Sequence, residues 1–256
     1  MDAYIIFAPG TNCDEETLYA LRKIGLKVDL LLLKNWLNNP SIILKSRLLV
    51  FPGGFSFGDY IKAGKVFAFY IKEKLWDSLY EFYKRGGYII GICNGFQVLL
   101  RSGILPFFDG KVHAYLLKNE SGEFEDRWIF LKGEGESIFV RGLETPHPFP
   151  IAHGEGKFFA EKKVIDFLEK NNLVAFRYVD ENGNPAKDYP FNPNGSINSI
   201  AGITDPEGRV LGMMPHPERA FERFQIPSIF EVKEEPGFLL FKNVKDEIFK
   251  KAIKRV

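Results

Sequence analysis

The sequence predicts an α/β fold with a central, mostly parallel sheet, and three observations lead there. Apolar runs at residues 4–8, 27–33, 47–51 and 88–92 alternate with segments of helical character. Within these runs apolar residues are nearly continuous, as in strands covered on both faces. Past residue 110 the pattern changes to strand-like segments punctuated by Asn182-Gly183 and Glu207-Gly208. Those turn signals predict an antiparallel extension.

The elements follow in order. The first strand ends at Pro9-Gly10. A helix starts near Asn12 or Cys13, with Asp14, Glu15 and Glu16 favourable in its first turn, and stops at Gly25. Strands at 27–33 and 47–51 come next, the second running into the loop Pro52-Gly53-Gly54-Phe55-Ser56-Phe57-Gly58-Asp59. A long amphipathic helix covers 65–84, a strand covers 88–92 and a helix covers 94–102. Further strands are expected at 113–117, 127–131, 173–179, 197–204 and 209–214, with an exposed loop at 182–196. A last helix at 237–252 places Phe241, Val244, Ile248 and Ala252 on one face. The whole chain, 1–256, reads as one domain, with 221–256 as a C-terminal extension.

Composition narrows the function. Lys and Arg total 34 against 33 Asp and Glu, which argues against a nucleic-acid binder. Apolar residues make up 45% of the chain and phenylalanine is abundant, at 25, enough for a sizeable core. No stretch is long and apolar enough for a membrane span, and no signal peptide is visible. Two cysteines, Cys13 and Cys93, suit free thiols in a reducing compartment, so a cytoplasmic location is expected.

The chemistry centres on Gly91-Ile92-Cys93-Asn94-Gly95, between a predicted strand and a predicted helix. It has the form of a nucleophile elbow with cysteine in place of serine. A thiol held at a helix N-terminus is biased toward thiolate. The same residues would also suit a buried core cysteine between two turn glycines. A cysteine nucleophile needs a base and the base an orienting group. Of four histidines, His216 lies in Met214-Pro215-His216-Pro217-Glu218, where Glu218 can reach one ring nitrogen and leave the other for Cys93. The backbone N–H groups of Asn94 and Gly54 are candidates for an oxyanion hole. Cys13 is a rival nucleophile, also at a helix start, but it lacks the glycine-flanked elbow. No histidine–carboxylate cluster has metal-ligand spacing, so no metal is expected.

Three segments in this order, Phe51-Pro52-Gly53-Gly54-Phe55, Gly91 to Gln97 and Pro215-His216-Pro217-Glu218, resemble the signatures of class I, triad-type glutamine amidotransferases. Further segments are similar to the glutaminase-subunit family of phosphoribosylformylglycinamidine synthase: Pro9-Gly10-Thr11-Asn12-Cys13-Asp14, Asn119-Glu120-Ser121, Arg127-Trp128 and Pro150 to Gly156. The resemblance runs from about residue 3 to 220, and the loop at 186–193 and the tail from 221 depart from it.

The resemblance implies a flavodoxin-like three-layer sandwich. It implies that Cys93 forms a γ-glutamyl thioester and His216 shuttles protons. By position, Gln97, about one helical turn past Cys93, is a candidate to meet the bound glutamine, and His153 is a candidate to contact its amino-acid end or to face the partner. Ammonia would pass to a large ATP- and magnesium-dependent synthetase subunit, with a small accessory subunit, in purine biosynthesis. This chain would carry no cofactor itself, in keeping with the lack of a G-x-x-x-x-G-K-[ST] loop. Two other readings remain open at this point: a glutaminase serving another amidation, and a flavodoxin-like cysteine hydrolase or redox protein with Cys93 tuned for oxidation.

Overall fold

The computed structural model describes residues 1–253, with side chains as far as 250. The strands are β1 (Ala3–Phe7), β2 (Val28–Leu32), β3 (Leu48–Phe51), β4 (Tyr88–Ile92), β5 (Ala114–Leu117), β6 (Glu125–Gly133), β7 (His147–His153), β8 (Lys157–Ala160), β9 (Val174–Val179), β10 (Ile200–Thr204) and β11 (Val210–Met213). The helices are α1 (Asp14–Lys23), α2 (Leu33–Asn38), α3 (Lys65–Tyr70), α4 (Trp76–Lys84), α5 (Asn94–Ser102), α6 (Lys162–Lys170) and α7 (Pro236–Ile253).

Nine strands form one sheet in the order β2-β1-β3-β4-β11-β10-β9-β6-β7. Every pairing from β2 to β11 is parallel. Every pairing from β11 to β7 is antiparallel. The segment at 209–214, expected in the antiparallel part, is therefore the joint between the two halves. The strands of the parallel half have buried, apolar cores because helices cover them. Helix α1 packs on β1 and β2, whereas α5 packs on β3, β4 and β11.

Four differences from the sequence reading have physical causes. Leu33, placed in a strand, begins α2 instead. The helix at 65–84 is interrupted by a π-helical turn at Ile71–Leu75, which keeps Ile71 and Leu75 buried across a change of phase. Strand β7 was not anticipated because Pro148 and Pro150 argue against a strand interior. It is the edge of the sheet, where a missing N–H is tolerated. The segment at 182–196, expected to be exposed, buries Asn192, Asn194 and Ser196 under the site. Strand β8 and α6 were also not anticipated. β8 pairs only with β5, in a small separate sheet.

The tail packs as helical spacing predicts, with Phe241, Val244 and Ile248 buried. Ala252 lies outside the residues whose side chains are described. Among the described residues no helix is long and apolar enough to cross a membrane.

Candidate active site

Cys93 occupies the bend between β4 and α5 with φ 51° and ψ −106°. A residue with a side chain is strained there, and such strain concentrates at functional bends. The surroundings force the bend to be tight. A Cβ added to Gly95 would lie 1.9 Å from the Phe51 carbonyl oxygen, and one on Gly91 would lie 2.8 Å from the Gly95 backbone. The sequence reading of two glycines kept free of side chains holds for this reason. The Cys93 N–H donates to the Met213 carbonyl at 2.8 Å. The elbow is thus pinned to the strand whose exit carries the histidine.

That exit places His216 beside the sulfur. His216 is 1% exposed, and its Nδ1 lies 2.6 Å from Oε1 of Glu218, also 1% exposed. The His216 N–H donates to the Pro150 carbonyl of β7 at 2.9 Å. Burial disfavours a charged ring, but Glu218 and the nearby sulfurs of Cys93 and Cys13 outweigh it and hold the His216 pKa well above its ordinary value. Gly53 forms the floor. A Cβ there would come within 2.7 Å of His216 Cε1 and 3.4 Å of Cys93 Cβ. Cysteine and histidine therefore converge over one glycine, from segments far apart in the chain.

Gly54, at φ 129°, follows directly and lies against Thr11 and Asn12, and Asn94 opens α5 directly after Cys93. The Asn94 side chain is fully engaged. Its Oδ1 accepts from the Ser56 hydroxyl at 2.6 Å, and its Nδ2 donates to Asp59 at 3.2 Å and to Gln97 Oε1 at 2.9 Å. Gln97 in turn donates to the Glu155 carbonyl at 2.8 Å. Gln97 Nε2 thus holds the elbow helix to the segment after β7, while its Oε1 is taken by Asn94 within the same helix. Burial, reinforced by the charge of Glu155, raises the Asp59 pKa to about 6.

This geometry agrees with what the chain resembles. Residues 1–247 match the CobB/CobQ-like glutamine amidotransferase domain. The phosphoribosylformylglycinamidine synthase subunit PurQ of Methanococcus maripaludis strain C7 is 42% identical over 232 residues, 88% of this chain and 84% of the relative. That of Archaeoglobus fulgidus is 42% identical over 259 residues, 94% of each chain. A chain in the structure of PurLQS from Thermotoga maritima superposes with a TM-score of 0.73 at 31% identity, covering 96% of this chain and 98% of that one. The chain belongs to the PurQ family of glutamine amidotransferases.

The tail of this amidotransferase, for which no motif was evident, buttresses the histidine loop. A Cβ on Gly237, in the first turn of α7, would lie 1.9 Å from the Pro217 carbonyl oxygen. The Gly237 N–H donates to the Ala220 carbonyl at 2.9 Å, and Gln225 Nε2 donates to the Glu218 carbonyl at 3.1 Å. Phe221 packs with a tilted ring against Phe238 and Phe241 of α7.

His153 ends β7 with its ring enclosed in a polar network that also fixes its proton. Asn119 Nδ2 donates to the carbonyls of Glu123 and His153, at 2.9 and 2.7 Å, so its Oδ1 is the acceptor. That oxygen lies 3.0 Å from His153 Nδ1, which must carry the hydrogen. On the other side Asn194 Oδ1 accepts from Ser196, and its Nδ2 donates to the Tyr178 hydroxyl at 3.0 Å and faces His153 Nε2 at 3.5 Å. The ring is thereby held neutral. Burial and the nearby charge of His216 push its pKa down to about 3. Asn119 lay in a matched motif without an assigned role, and Asn194 lay in the segment read as exposed.

Cys13 is closer to the chemistry than its rank as a rival implied. Its sulfur, His216 and Glu218 bring three potential ligand atoms within 4.8 Å of one another. Arg219 Nη2 donates to Cys13 Sγ at 3.2 Å and is itself held by Glu16 at 2.8 Å. Burial nevertheless pushes the Cys13 thiol up to about 12, despite its place at a helix start. A protonated thiol is a poor nucleophile.

Proposed function

We propose that this chain hydrolyses glutamine through Cys93 and delivers the ammonia to an ATP-dependent synthetase subunit of phosphoribosylformylglycinamidine synthase, which makes formylglycinamidine ribonucleotide in purine biosynthesis. The convergence of Cys93 and the His216–Glu218 pair over Gly53 carries the reading of the site.

The sulfur attacks the γ-amide carbon, and the oxyanion that forms faces the backbone N–H groups of Asn94 and Gly54. The imidazolium of His216 gives its proton to the leaving nitrogen, and ammonia departs from a γ-glutamyl thioester. His216 then takes a proton from water. The resulting hydroxide attacks the thioester, releasing glutamate and returning the thiol. Glu218 holds the ring in one tautomer and steadies its charge. Gln97 and His153 shape the pocket wall, with their own polar atoms mostly committed to the protein.

ATP and magnesium belong to the partner in this reading, a small accessory subunit completes the enzyme, and the chain needs no cofactor of its own. The cytoplasm is the compartment that suits its two free thiols. The test is ammonia release from glutamine with and without the synthetase, for the wild type and Cys93→Ser. Stimulation by the partner and loss in Cys93→Ser are expected. Hydrolysis that survives the substitution would overturn the reading.

A further inference from the structure

We infer that Cys13, His216 and Glu218 form a binding site for a soft divalent cation such as zinc, and that its occupancy switches the glutaminase off. A thiolate, an imidazole and a carboxylate are a donor set suited to zinc. Their ligand atoms lie within 4.8 Å of one another and all three residues are buried. Glu218 Oε2 is buried and has no hydrogen-bond partner among the described residues, so a carboxylate oxygen is uncommitted in a place where desolvation makes that costly. The proton between His216 Nδ1 and Glu218 Oε1 spans only 2.6 Å. The cation replaces it once ring and carboxylate part by several tenths of an ångström to meet metal–ligand distances of about 2.0–2.2 Å, and Cys13 supplies the third ligand.

The proton balance states the consequence. From the imidazolium, two protons leave, that of the Cys13 thiol and that on His216 Nδ1, as the sulfur–metal and nitrogen–metal bonds form. The hydrogen on Nε2 stays, so the ring can no longer accept a proton from Cys93 or from water. Arg219, which donates to the Cys13 sulfur, favours the thiolate. Glu16, paired with Arg219, offsets the charge repulsion on an incoming cation. The sulfur that does no chemistry thus gates the histidine that does.

The inhibitory half rests on the proposed roles of His216 and Glu218, but the binding half does not. Binding is therefore measured where catalysis is absent. Cobalt(II) is titrated into the full chain carrying Cys93→Ser, and thiolate-to-cobalt charge-transfer absorption is recorded. One equivalent with one sulfur ligand is expected, and the band should vanish when Cys13→Ser is added. Zinc should inhibit the wild-type complex with its synthetase reversibly by chelator. Cys13→Ser or Cys13→Ala should raise the zinc needed for half-inhibition, relative to each variant's own metal-free rate, at least about tenfold. Should the Cys13 variants fail to fold, X-ray absorption of the Cys93→Ser chain still decides by its sulfur count. No binding, a band that persists without Cys13, or a sulfur count of zero would overturn the site. Binding without inhibition would overturn the switch alone and point back to the assigned roles of the histidine and glutamate.

Discussion

Replacing His153 by glutamine should remove a component of the protein's acid sensitivity. The ring titrates at about 6.5 in an unfolded chain and at about 3 when folded, because burial and His216 oppose its charge. The folded state thus binds this proton more weakly, so the group's contribution is fully present above pH 6.5 and is lost as pH falls toward 3. At pH 5 the unfolded chain has taken up the proton and the folded chain has not, a difference of about 2 kcal/mol at ~1.4 kcal/mol per pH unit. For a chain of this size that is a fall in Tm of about 4–8 °C relative to neutral pH. Glutamine offers a donor to Asn119 Oδ1 and an acceptor to Asn194 but does not titrate here. Denaturant unfolding of wild type and His153→Gln at pH 7.5 and pH 5 gives a double difference in which other groups cancel. About 2 kcal/mol less acid loss is expected in the variant. Equal losses in the two proteins would refute the neutral, buried imidazole.

Other substitutions test the rest of the site. A glutamine-like electrophile should label Cys93 and spare Cys13, read by peptide mass mapping, because burial holds the Cys13 thiol protonated. Glu218→Gln should cut kcat by roughly 10²–10⁴ and shift the acid limb of the pH profile, since the carboxylate both orients and charges His216. Gly95→Ala drives a methyl into the Phe51 carbonyl and should destabilise by more than about 2 kcal/mol, seen as a lowered denaturation midpoint. Asp59→Asn should stabilise. The carboxyl's pKa is raised on folding, so its unfavourable effect appears as pH rises through about 6, and the gap between wild type and variant should widen from pH 4 to pH 7.5. Linkage alone sets this near 3 kcal/mol, and the half-exposed position reduces it to about 1.

The parallel half of the fold was legible because its strands are continuous apolar runs and its elbow needs glycine at fixed places. Strand β4 and helix α5 fall where the sequence put them, at Tyr88–Ile92 and Asn94–Ser102. The His216–Glu218 pair was legible because the two residues are close in sequence, although the backbone between them is not the extended segment expected: Pro217–Arg219 is a short 3-10 turn that brings the carboxylate to the ring. What escaped was whatever depends on distant chain segments closing on the site. Strand β7 hid behind its prolines, although it supplies the Ala152 carbonyl 3.6 Å from Cys93 Sγ. Asn194 hid in a stretch whose composition marks a surface loop, because asparagine suits turns and buried amide networks equally well.

The two cysteines show why position relative to a helix does not by itself make a nucleophile. Cys13 precedes α1 and Cys93 precedes α5, so the peptide dipoles favour both thiolates to a similar degree. The free energy from a helix end is about 0.3–2 kcal/mol. Withdrawing a thiolate from water outweighs this, as the rise of Cys13 to about 12 shows even with Arg219 and His216 against the sulfur. Distinguishing the two sulfurs therefore required knowing which backbone is bent. Both side chains reach the space above Gly53, but Cys93 does so from a bend with φ 51°, whereas Cys13, at φ −101°, has its sulfur held by Arg219, which is paired with Glu16. Both sulfurs are buried, and what sets Cys93 apart is the strained bend that carries it, so relaxing the elbow should impair catalysis without activating Cys13.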